Sequence, residues 1–124
     1  MVKTIQTEKA PAAIGAYSQA VEKEGTLFIS GQIPLHPETK ELVEGIENQT
    51  KQVLQNIQAI LHASGLETSD VVKNTIYVTS LKNYDIINEI YSSYFNESQP
   101  ARAMVGVNEL PKGALIEIES IAMR

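Results

Sequence analysis

The chain has 124 residues, of which 43% are hydrophobic and 20% charged, with 10 lysine and arginine residues against 15 aspartate and glutamate residues. This length fits one domain with its own core, and a net charge of -5 with scattered basic residues argues against a nucleic-acid-binding protein. The absence of cysteine excludes disulfides, thiolate nucleophiles and cysteine-type zinc sites.

The first third of the chain predicts three strands. Alternation of apolar and polar residues favours strands at Val2–Ile5, Ser18–Glu22 and Thr26–Gln32. Gly25 fits the positive-φ position of a turn between the second and third strands. Residues 10–17, APAAIGAY, are predicted to form a loop because they include a proline and a glycine.

Two amphipathic helices are predicted in the middle of the chain. Apolar residues recur with helical spacing over Ile46–Ser64, and Gly65 stands where a helix is expected to end. The segment Val72–Val78 alternates and is rich in β-branched residues, which predicts a fourth strand. The second helix is expected over Tyr84–Tyr94, with Asn83 as its N-cap.

The stretch Pro100–Glu119, PARAMVGVNELPKGALIEIE, is predicted to form two strands joined by a turn, a closing hairpin. Its second strand carries apolar residues on both faces, with Leu115, Ile121 and Met123 on the side expected to face outwards. Met104, in the first strand, is expected on the outside as well. We therefore expect another surface, a second copy of the chain, to cover this side.

The predicted element order is β, β, β, α, β, α, β, β in one domain over residues 1–124. Strands separated by helices of this length favour parallel crossovers and a mixed sheet with both helices on one face, an α+β fold. A closed homo-oligomer that stacks the helix-free faces would bury the apolar side chains that a monomer leaves in water.

Several common signals are absent from the sequence. The N-terminal MVKTIQTEKAP has no apolar segment of signal-peptide length and no window approaches a membrane span, so we expect a cytosolic protein. His36 and His62 share no metal-ligand spacing, and the isolated glycines form no phosphate loop. The sequence therefore predicts no metal site.

The chemical candidates are Arg102 in the first strand of the closing hairpin and Glu117 and Glu119 in the second. Arg102 could clamp a small carboxylic acid with two parallel hydrogen bonds, and Glu117 could position a water as general base. The competing interpretation is that Arg102 only pairs with one of these glutamates, across the hairpin or across a subunit contact, with Glu119 at an interface or in solvent. Tyr17 could donate a hydrogen bond to a site or anchor its loop, and Asn88 alone indicates only a helix surface.

The sequence resembles the RidA (YjgF) family of small imine deaminases over essentially the whole chain. The stretches that carry the resemblance occur together and in order: APAAIGAYSQA (10–20), FISGQIP (28–34), QTKQVL (49–54), VVKNTIYV (71–78) and PARAMVGVNELPKGALIEIE (100–119). The resemblance implies a chorismate-mutase-like α+β fold that assembles as a homotrimer, with active sites in clefts between subunits.

The resemblance also implies an activity. It is the cofactor-free hydrolysis of 2-imino acids such as 2-iminopropanoate and 2-iminobutanoate to 2-oxo acids and ammonia, which protects against reactive enamines and imines. Matched position by position, Arg102 binds the substrate carboxylate, Glu117 holds the attacking water and Tyr17 lines the cleft. Other pocket-wall positions of the family match Ser30, Gly31 and Asn88. An imine reacts with water unaided, so orientation and one base are sufficient.

Three positions depart from the family pattern. Met104 stands where many members carry cysteine, Gly106 where many carry glutamate, and Ala16 where a proline usually precedes the tyrosine. We expect Met104 to narrow the pocket, Gly106 to change a local ion pair and Ala16 to loosen the loop of Tyr17.

Two other functions stay open at this point. The first is a trimeric module that senses small carboxylates and regulates a partner protein without turnover. The second is ribonuclease activity or translation inhibition, which has been attached to relatives. The acidic balance and the lack of a basic patch argue against the second.

Overall fold

One mixed sheet and two helices make up the structure, a computed structural model that describes residues 1–124. The strands are β1 (Lys3–Ile5), β2 (Ala20–Lys23), β3 (Thr26–Gln32), β4 (Val71–Val78), β5 (Ala101–Gly106) and β6 (Ile116–Met123). The helices are α1 (Ile46–Ala63) and α2 (Tyr84–Phe95). The predicted order of elements is therefore confirmed, and the fold is α+β.

The strands lie in the order β1-β2-β3-β6-β4-β5. β4 and β5, joined by α2, are parallel, as a crossover of this length requires. β6 runs antiparallel to both β3 and β4, so β3 and β4, joined by α1, also point the same way with β6 between them. The last strand of the described chain is thus a central strand of the sheet.

The closing hairpin predicted over Pro100–Glu119 is wrong, because β5 and β6 do not pair and β4 lies between them. Residues 107–115, with a 3-10 turn at Pro111–Gly113, carry the chain past the end of β4. In the central position β6 bonds to a strand on each side and buries Ile116 and Ile118 completely. A hairpin with the edge strand β5 would have offered β6 only one partner.

The core lies between the sheet and the two helices. Fully buried side chains come from β3, β4 and β6 on one side and from both helices on the other, and the largest include Leu27, Ile76, Ile118, Ile57 and Ile87. Burying a side chain of this size stabilises the fold by about 1.5–3 kcal/mol relative to leaving it exposed. The period-2 burial pattern along β4 and β6 shows that the helices cover only one face.

The opposite face of the sheet has no helix, as predicted. Its apolar side chains with substantial exposure are Phe28, Val105 and Met123, beside the half-buried Ile121. The expected position of Met104 is wrong: Met104 pairs in register with the buried Ile76 and packs against the core on the helical face. Alternation in β5 therefore places Arg102 on the helical face as well.

The helix ends depend on local backbone chemistry. α1 ends at Ala63, and Gly65, two residues later, has a φ of +73°, a left-handed conformation. The N–H groups of Gly65 and Leu66 donate to the carbonyls of His62 (3.0 Å) and Leu61 (2.9 Å). Asn83 occupies the N-cap position of α2, but its side chain makes no capping hydrogen bond. Neither helix combines the length and apolarity needed to cross a lipid bilayer.

Candidate active site

Arg102 on β5 is held by three side chains of α2. Its Nη1 donates to Oδ1 of Asn88 (2.8 Å), and its Nη2 donates to the hydroxyl of Tyr84 (2.9 Å). Its guanidinium carbon lies 4.8 Å from the ring centre of Tyr91, within cation–π range. The amide and the two phenols therefore restrict the guanidinium without neutralising its charge.

Helical spacing brings these three side chains together. Positions 84, 88 and 91 are four and three residues apart, so they form one stripe along α2 that faces β5. Tyr84 and Tyr91 were not recognised from the sequence as site residues, and Asn88 was given a pocket position only through the family resemblance. The signal that could have indicated them is the helical spacing of one amide and two phenol side chains along α2.

Arg102 has no carboxylate partner in this chain. The two ion pairs of the structure are His62 with Glu67 and Arg124 with Glu22. A pairing of Arg102 with a glutamate across a hairpin is therefore wrong. The guanidinium has five N–H donors, of which two are engaged, so three remain for a ligand.

A shallow cavity of about 350 Å³ opens beside the guanidinium. Its walls come from α2 and the segment before β5, and they include Asn88, Tyr91, Ser92, Phe95, Gln99 and Pro100. The cavity is polar enough to admit a carboxylate, and the partly buried position of Arg102 strengthens a charged contact relative to open solvent.

Glu117 lies on β6, on the helix-free face, with its carboxylate over Gly31 of β3. A β-carbon added at Gly31 would overlap that carboxylate, which gives a physical reason for glycine at this position. Burial raises the pKa of Glu117 above its ordinary value, and the negative charge of Glu119 raises this pKa further. A carboxylate with a raised pKa accepts a proton more readily near neutral pH.

Ser30, Gly31 and Tyr17 lie on the Glu117 side of the molecule. The hydroxyl of Ser30 donates to the carbonyl of Ser18 (2.6 Å), so its oxygen remains as an acceptor. Tyr17 and Gly31 line one small cavity, and the Tyr17 hydroxyl accepts a hydrogen bond from the Ile14 amide (3.2 Å). The Tyr17 side chain is otherwise open to solvent, with 54% of the residue exposed.

The loop that carries Tyr17 is fixed by Gln19, which sequence analysis missed. This residue is 3% exposed, and its amide oxygen accepts from the Thr7 amide (2.8 Å). Its amide nitrogen donates to the carbonyls of Ala10 (3.2 Å) and Pro11 (2.8 Å). A single buried side chain thus bonds to three backbone groups around a loop that has no regular secondary structure.

The structure does not bring Arg102 and Glu117 together within one chain. Arg102 is in register with Asn74 and Glu117 with Tyr77, three residues further along β4. With ~3.3 Å per residue and ~4.8 Å between strands, their α-carbons lie roughly 14 Å apart. An odd separation along β4 also places the two side chains on opposite faces of the sheet. The predicted site residues therefore form two clusters, Arg102 with Asn88 and Glu117 with Tyr17, Ser30 and Gly31.

The remaining candidates have ordinary partners. Glu119 is exposed and accepts a hydrogen bond from the hydroxyl of Tyr77 (2.6 Å), which raises the pKa of that tyrosine. Nδ1 of His36 accepts from the amide of Glu38 (3.1 Å). No three histidine, aspartate or glutamate side chains converge in a way that could hold a metal ion.

Comparison with known proteins identifies the family. Residues 7–124 match the family model described as Endoribonuclease L-PSP. The crystal structure of RidA from an Antarctic Psychrobacter superposes with a TM-score of 0.96 at 49% identity, covering 98% of this chain and 99% of that one. The chain belongs to the RidA/YjgF family.

Other members of the RidA/YjgF family are similarly close. A RutC family protein of Pyrococcus horikoshii is 51% identical, covering 100% of this chain and 99% of its own. The 2-iminobutanoate/2-iminopropanoate deaminase of rat is 47% identical, covering 98% and 90%. TdcF of Escherichia coli, crystallised with bound serine, is 42% identical with a TM-score of 0.94 and 98% coverage of both chains.

The departures from the RidA/YjgF pattern have local structural contexts. Met104 shares the helical face of β5 with Arg102, two residues away, and is partly buried against the core. At Gly106 the side chain of Leu81 lies so close that an added β-carbon would sit 3.4 Å from its Cγ and Cδ1. This distance is at the short end of ordinary van der Waals contact.

Proposed function

We propose that this RidA-family protein hydrolyses small 2-imino acids to 2-oxo acids and ammonia without a cofactor. The observation that carries the proposal is the state of Arg102, whose charge is held by neutral side chains and offset by no carboxylate of its own chain. Such a guanidinium is suited to a ligand carboxylate. The rat relative, at 47% identity, bears the name of this activity.

Binding begins with the carboxylate of the imino acid. Two of the three unengaged N–H groups of Arg102 form parallel hydrogen bonds to the two carboxylate oxygens. Asn88 accepts from Arg102 through its oxygen, so its amide nitrogen is left to donate to the same ligand. The reacting carbon is directly bonded to that carboxylate, so fixing the carboxylate also fixes the position of the C=N bond.

Hydrolysis requires one proton acceptor. The imine reacts in its nitrogen-protonated form, and Glu117 takes a proton from water as the water oxygen bonds to the imine carbon, which gives a neutral carbinolamine. The protonated carboxyl returns that proton to the amine nitrogen. Glu117 then accepts the hydroxyl proton as the C–N bond breaks, and the 2-oxo acid and ammonia leave, with the last proton passing from Glu117 to ammonia. The raised pKa of Glu117 suits both directions of transfer.

We further propose that Arg102 and Glu117 act together between two copies of the chain. Their separation and opposite faces in one copy prevent a small acid from contacting both. A homotrimer with a chorismate-mutase-like arrangement would place the Arg102 cluster of one subunit against the Glu117 cluster of the next. The exposed apolar side chains of the helix-free face, Phe28, Val105 and Met123, support burial of that face between subunits.

The direct test is imine hydrolysis in a coupled assay. A pyridoxal-phosphate dehydratase generates 2-iminobutanoate, and semicarbazide traps the imine that is not hydrolysed. Purified protein is expected to accelerate formation of 2-oxobutanoate and to reduce the semicarbazone in proportion to its concentration. Heat-denatured protein is the control, and a semicarbazone yield unaffected by native protein would contradict the proposal.

Subunit complementation tests the shared site. Arg102→Ala and Glu117→Gln are each expected to be nearly inactive alone. Random co-assembly of the two at equal amounts should restore roughly a quarter of wild-type activity, because one interface in four then pairs an intact arginine with an intact glutamate. Co-expression with two affinity tags isolates the mixed trimers, in which one interface in three is intact, so their activity should be roughly a third of wild type. Mixed trimers no more active than the single variants would rule the shared site out.

A binding module without turnover is the second candidate. The serine-bound structure of TdcF favours it, since that family member holds a small amino acid. This alternative predicts binding of 2-oxobutanoate or serine with no change of semicarbazone yield in the coupled assay. The family description also names an endoribonuclease, but the net charge of -5 gives an RNA backbone little to bind.

A further inference from the structure

Three polar side chains form a buried chain beneath Arg102. Ser120 on β6 donates to Oδ1 of Asn74 on β4 (2.5 Å), and Nδ2 of Asn74 donates to the hydroxyl of Tyr91 on α2 (2.8 Å). Asn74 is 0%, Ser120 2% and Tyr91 6% exposed. Solvent therefore does not satisfy these groups, and each depends on the next for its hydrogen bond.

This polar chain lies among apolar neighbours. Asn74 and Ser120 occupy the helical face of the sheet, where the next positions on the same strands are the fully buried Ile76 and Ile118. Apolar residues of similar size would fill such positions without the cost of desolvating polar groups. A satisfied buried network rigidifies its members instead. The hydrogen bonds thus fix where the Tyr91 ring lies.

The Tyr91 ring is also the surface on which Arg102 rests. Arg102 is the register partner of Asn74 across the β4–β5 pair, and its guanidinium carbon lies 4.8 Å from the centre of the Tyr91 ring. Each of these three residues therefore contacts the other two. Asn74 pairs with Arg102 across the strands, Arg102 contacts the Tyr91 ring, and the hydroxyl of Tyr91 accepts a hydrogen bond from Asn74.

We propose that Tyr91, anchored by Asn74 and Ser120, is a positioning residue that fixes the guanidinium of Arg102 for the substrate carboxylate. This rests on the proposed function, in which Arg102 binds that carboxylate. Asn88 and Tyr84 bond to the two terminal nitrogens and limit rotation of the guanidinium within its own plane. The Tyr91 ring restrains motion out of that plane. A planar, two-point contact with a carboxylate needs both restraints.

Replacing Tyr91 with leucine removes the ring and keeps an apolar side chain. A cation–π contact that is partly desolvated corresponds to about a threefold to thirtyfold change in binding. We expect Tyr91→Leu to raise KM for 2-iminobutanoate and Kd for 2-oxobutanoate by that factor, with kcat nearly unchanged. General destabilisation would instead lower the active fraction and hence kcat, leaving KM as in the wild type.

Two further variants separate the ring from its anchor. Tyr91→Phe keeps the ring but loses the hydrogen bond to Asn74, so its KM and Kd should lie between those of the wild type and those of Tyr91→Leu. Tyr94→Leu is the matched control, because Tyr94 is a partly buried tyrosine of the same helix that lies beside Gln55 and does not contact Arg102. Its KM and Kd should equal those of the wild type.

A readout that needs no substrate completes the test. Rotation about the Nε–Cζ bond of Arg102, followed by nitrogen NMR, is expected to be slow in the wild type and in Tyr94→Leu and faster in Tyr91→Leu. Unchanged rotation, KM and Kd in Tyr91→Leu would overturn the positioning proposal even if imine hydrolysis is confirmed. If imine hydrolysis is absent but Arg102 rotates faster in Tyr91→Leu, the proposed function is rejected and the positioning role of Tyr91 is retained.

Discussion

Replacement of Arg102 with alanine is expected to lower kcat/KM for 2-iminobutanoate by about 10²- to 10³-fold, the size of two charge-assisted hydrogen bonds. The physical reason is that Arg102 is the only lysine or arginine among the residues of this chain that line the cavity. The semicarbazone assay measures the change. Calorimetric titration with 2-oxobutanoate should show a comparable loss of binding.

Two variants show whether the loss of kcat/KM depends on the planar pair of N–H donors of the guanidinium. Arg102→Lys keeps the charge but loses the planar donor pair, so its activity should fall between alanine and wild type. Arg124→Ala removes the other arginine, whose bonds to Glu22 lie away from both site clusters, and should retain wild-type kcat/KM. Full activity of Arg102→Ala would exclude the carboxylate clamp.

Glu117→Gln is expected to lower kcat by about 10²- to 10⁴-fold, the range of general acid–base catalysis. Glutamine keeps the size of the side chain over Gly31 but cannot accept the proton of the attacking water. KM should change little, because the carboxylate of the substrate is bound by Arg102. Steady-state kinetics in the semicarbazone assay separate the two constants, and a kcat within threefold of wild type would contradict the assignment.

The same substitution is expected to stabilise the protein at neutral pH. Burial raises the pKa of Glu117, so the folded state disfavours the ionised form that the unfolded chain adopts at pH 7. This destabilisation is present above the folded pKa and disappears as pH falls below the unfolded value. Glu117→Gln should therefore melt above wild type at pH 7, with a difference that shrinks at pH 4, as measured by thermal denaturation.

Two neighbouring substitutions sharpen the Glu117 prediction. Glu119→Gln removes a negative charge that raises the pKa of Glu117, so the acid limb of the rate profile should move to lower pH while activity remains. Gly31→Ala places a methyl group where the Glu117 carboxylate lies and should lower kcat by displacing it. If Glu119→Gln leaves the acid limb of the rate profile at the same pH, that limb does not report the ionisation of Glu117.

The helices and most strands were predictable because their signals are local. The apolar stripe of α1, the Gly65 terminus and the alternation of β4 each depend on residues within a few positions of one another. The strand order was not predictable in this way. β6 was predicted to pair with β5, the strand before it in the sequence. In the structure β6 pairs with a strand on each side, and this central position buries Ile116 and Ile118.

The candidate site was predicted in part for the same reason. The charge of Arg102 among apolar residues and the carboxylate of Glu117 are visible in the sequence, and Tyr17 was considered from its loop. The resemblance supplied Ser30, Gly31 and a pocket role for Asn88. Tyr84 and Tyr91 were not recognised as partners of Arg102, because only the packing of α2 on β5 brings them there. The separation of Arg102 and Glu117 also required the strand order.

The central position of β6 has a consequence for biosynthesis. Until residues 116–123 leave the ribosome, β3 and β4 each lack a neighbour, and the two parts of the sheet cannot join. Both exposed strand edges are rich in β-branched and aromatic residues, the composition that promotes pairing with other chains. Completion of the sheet therefore depends on β6, which follows both β3 and β4 in the chain, and these two strand edges stay unpaired until β6 is in place.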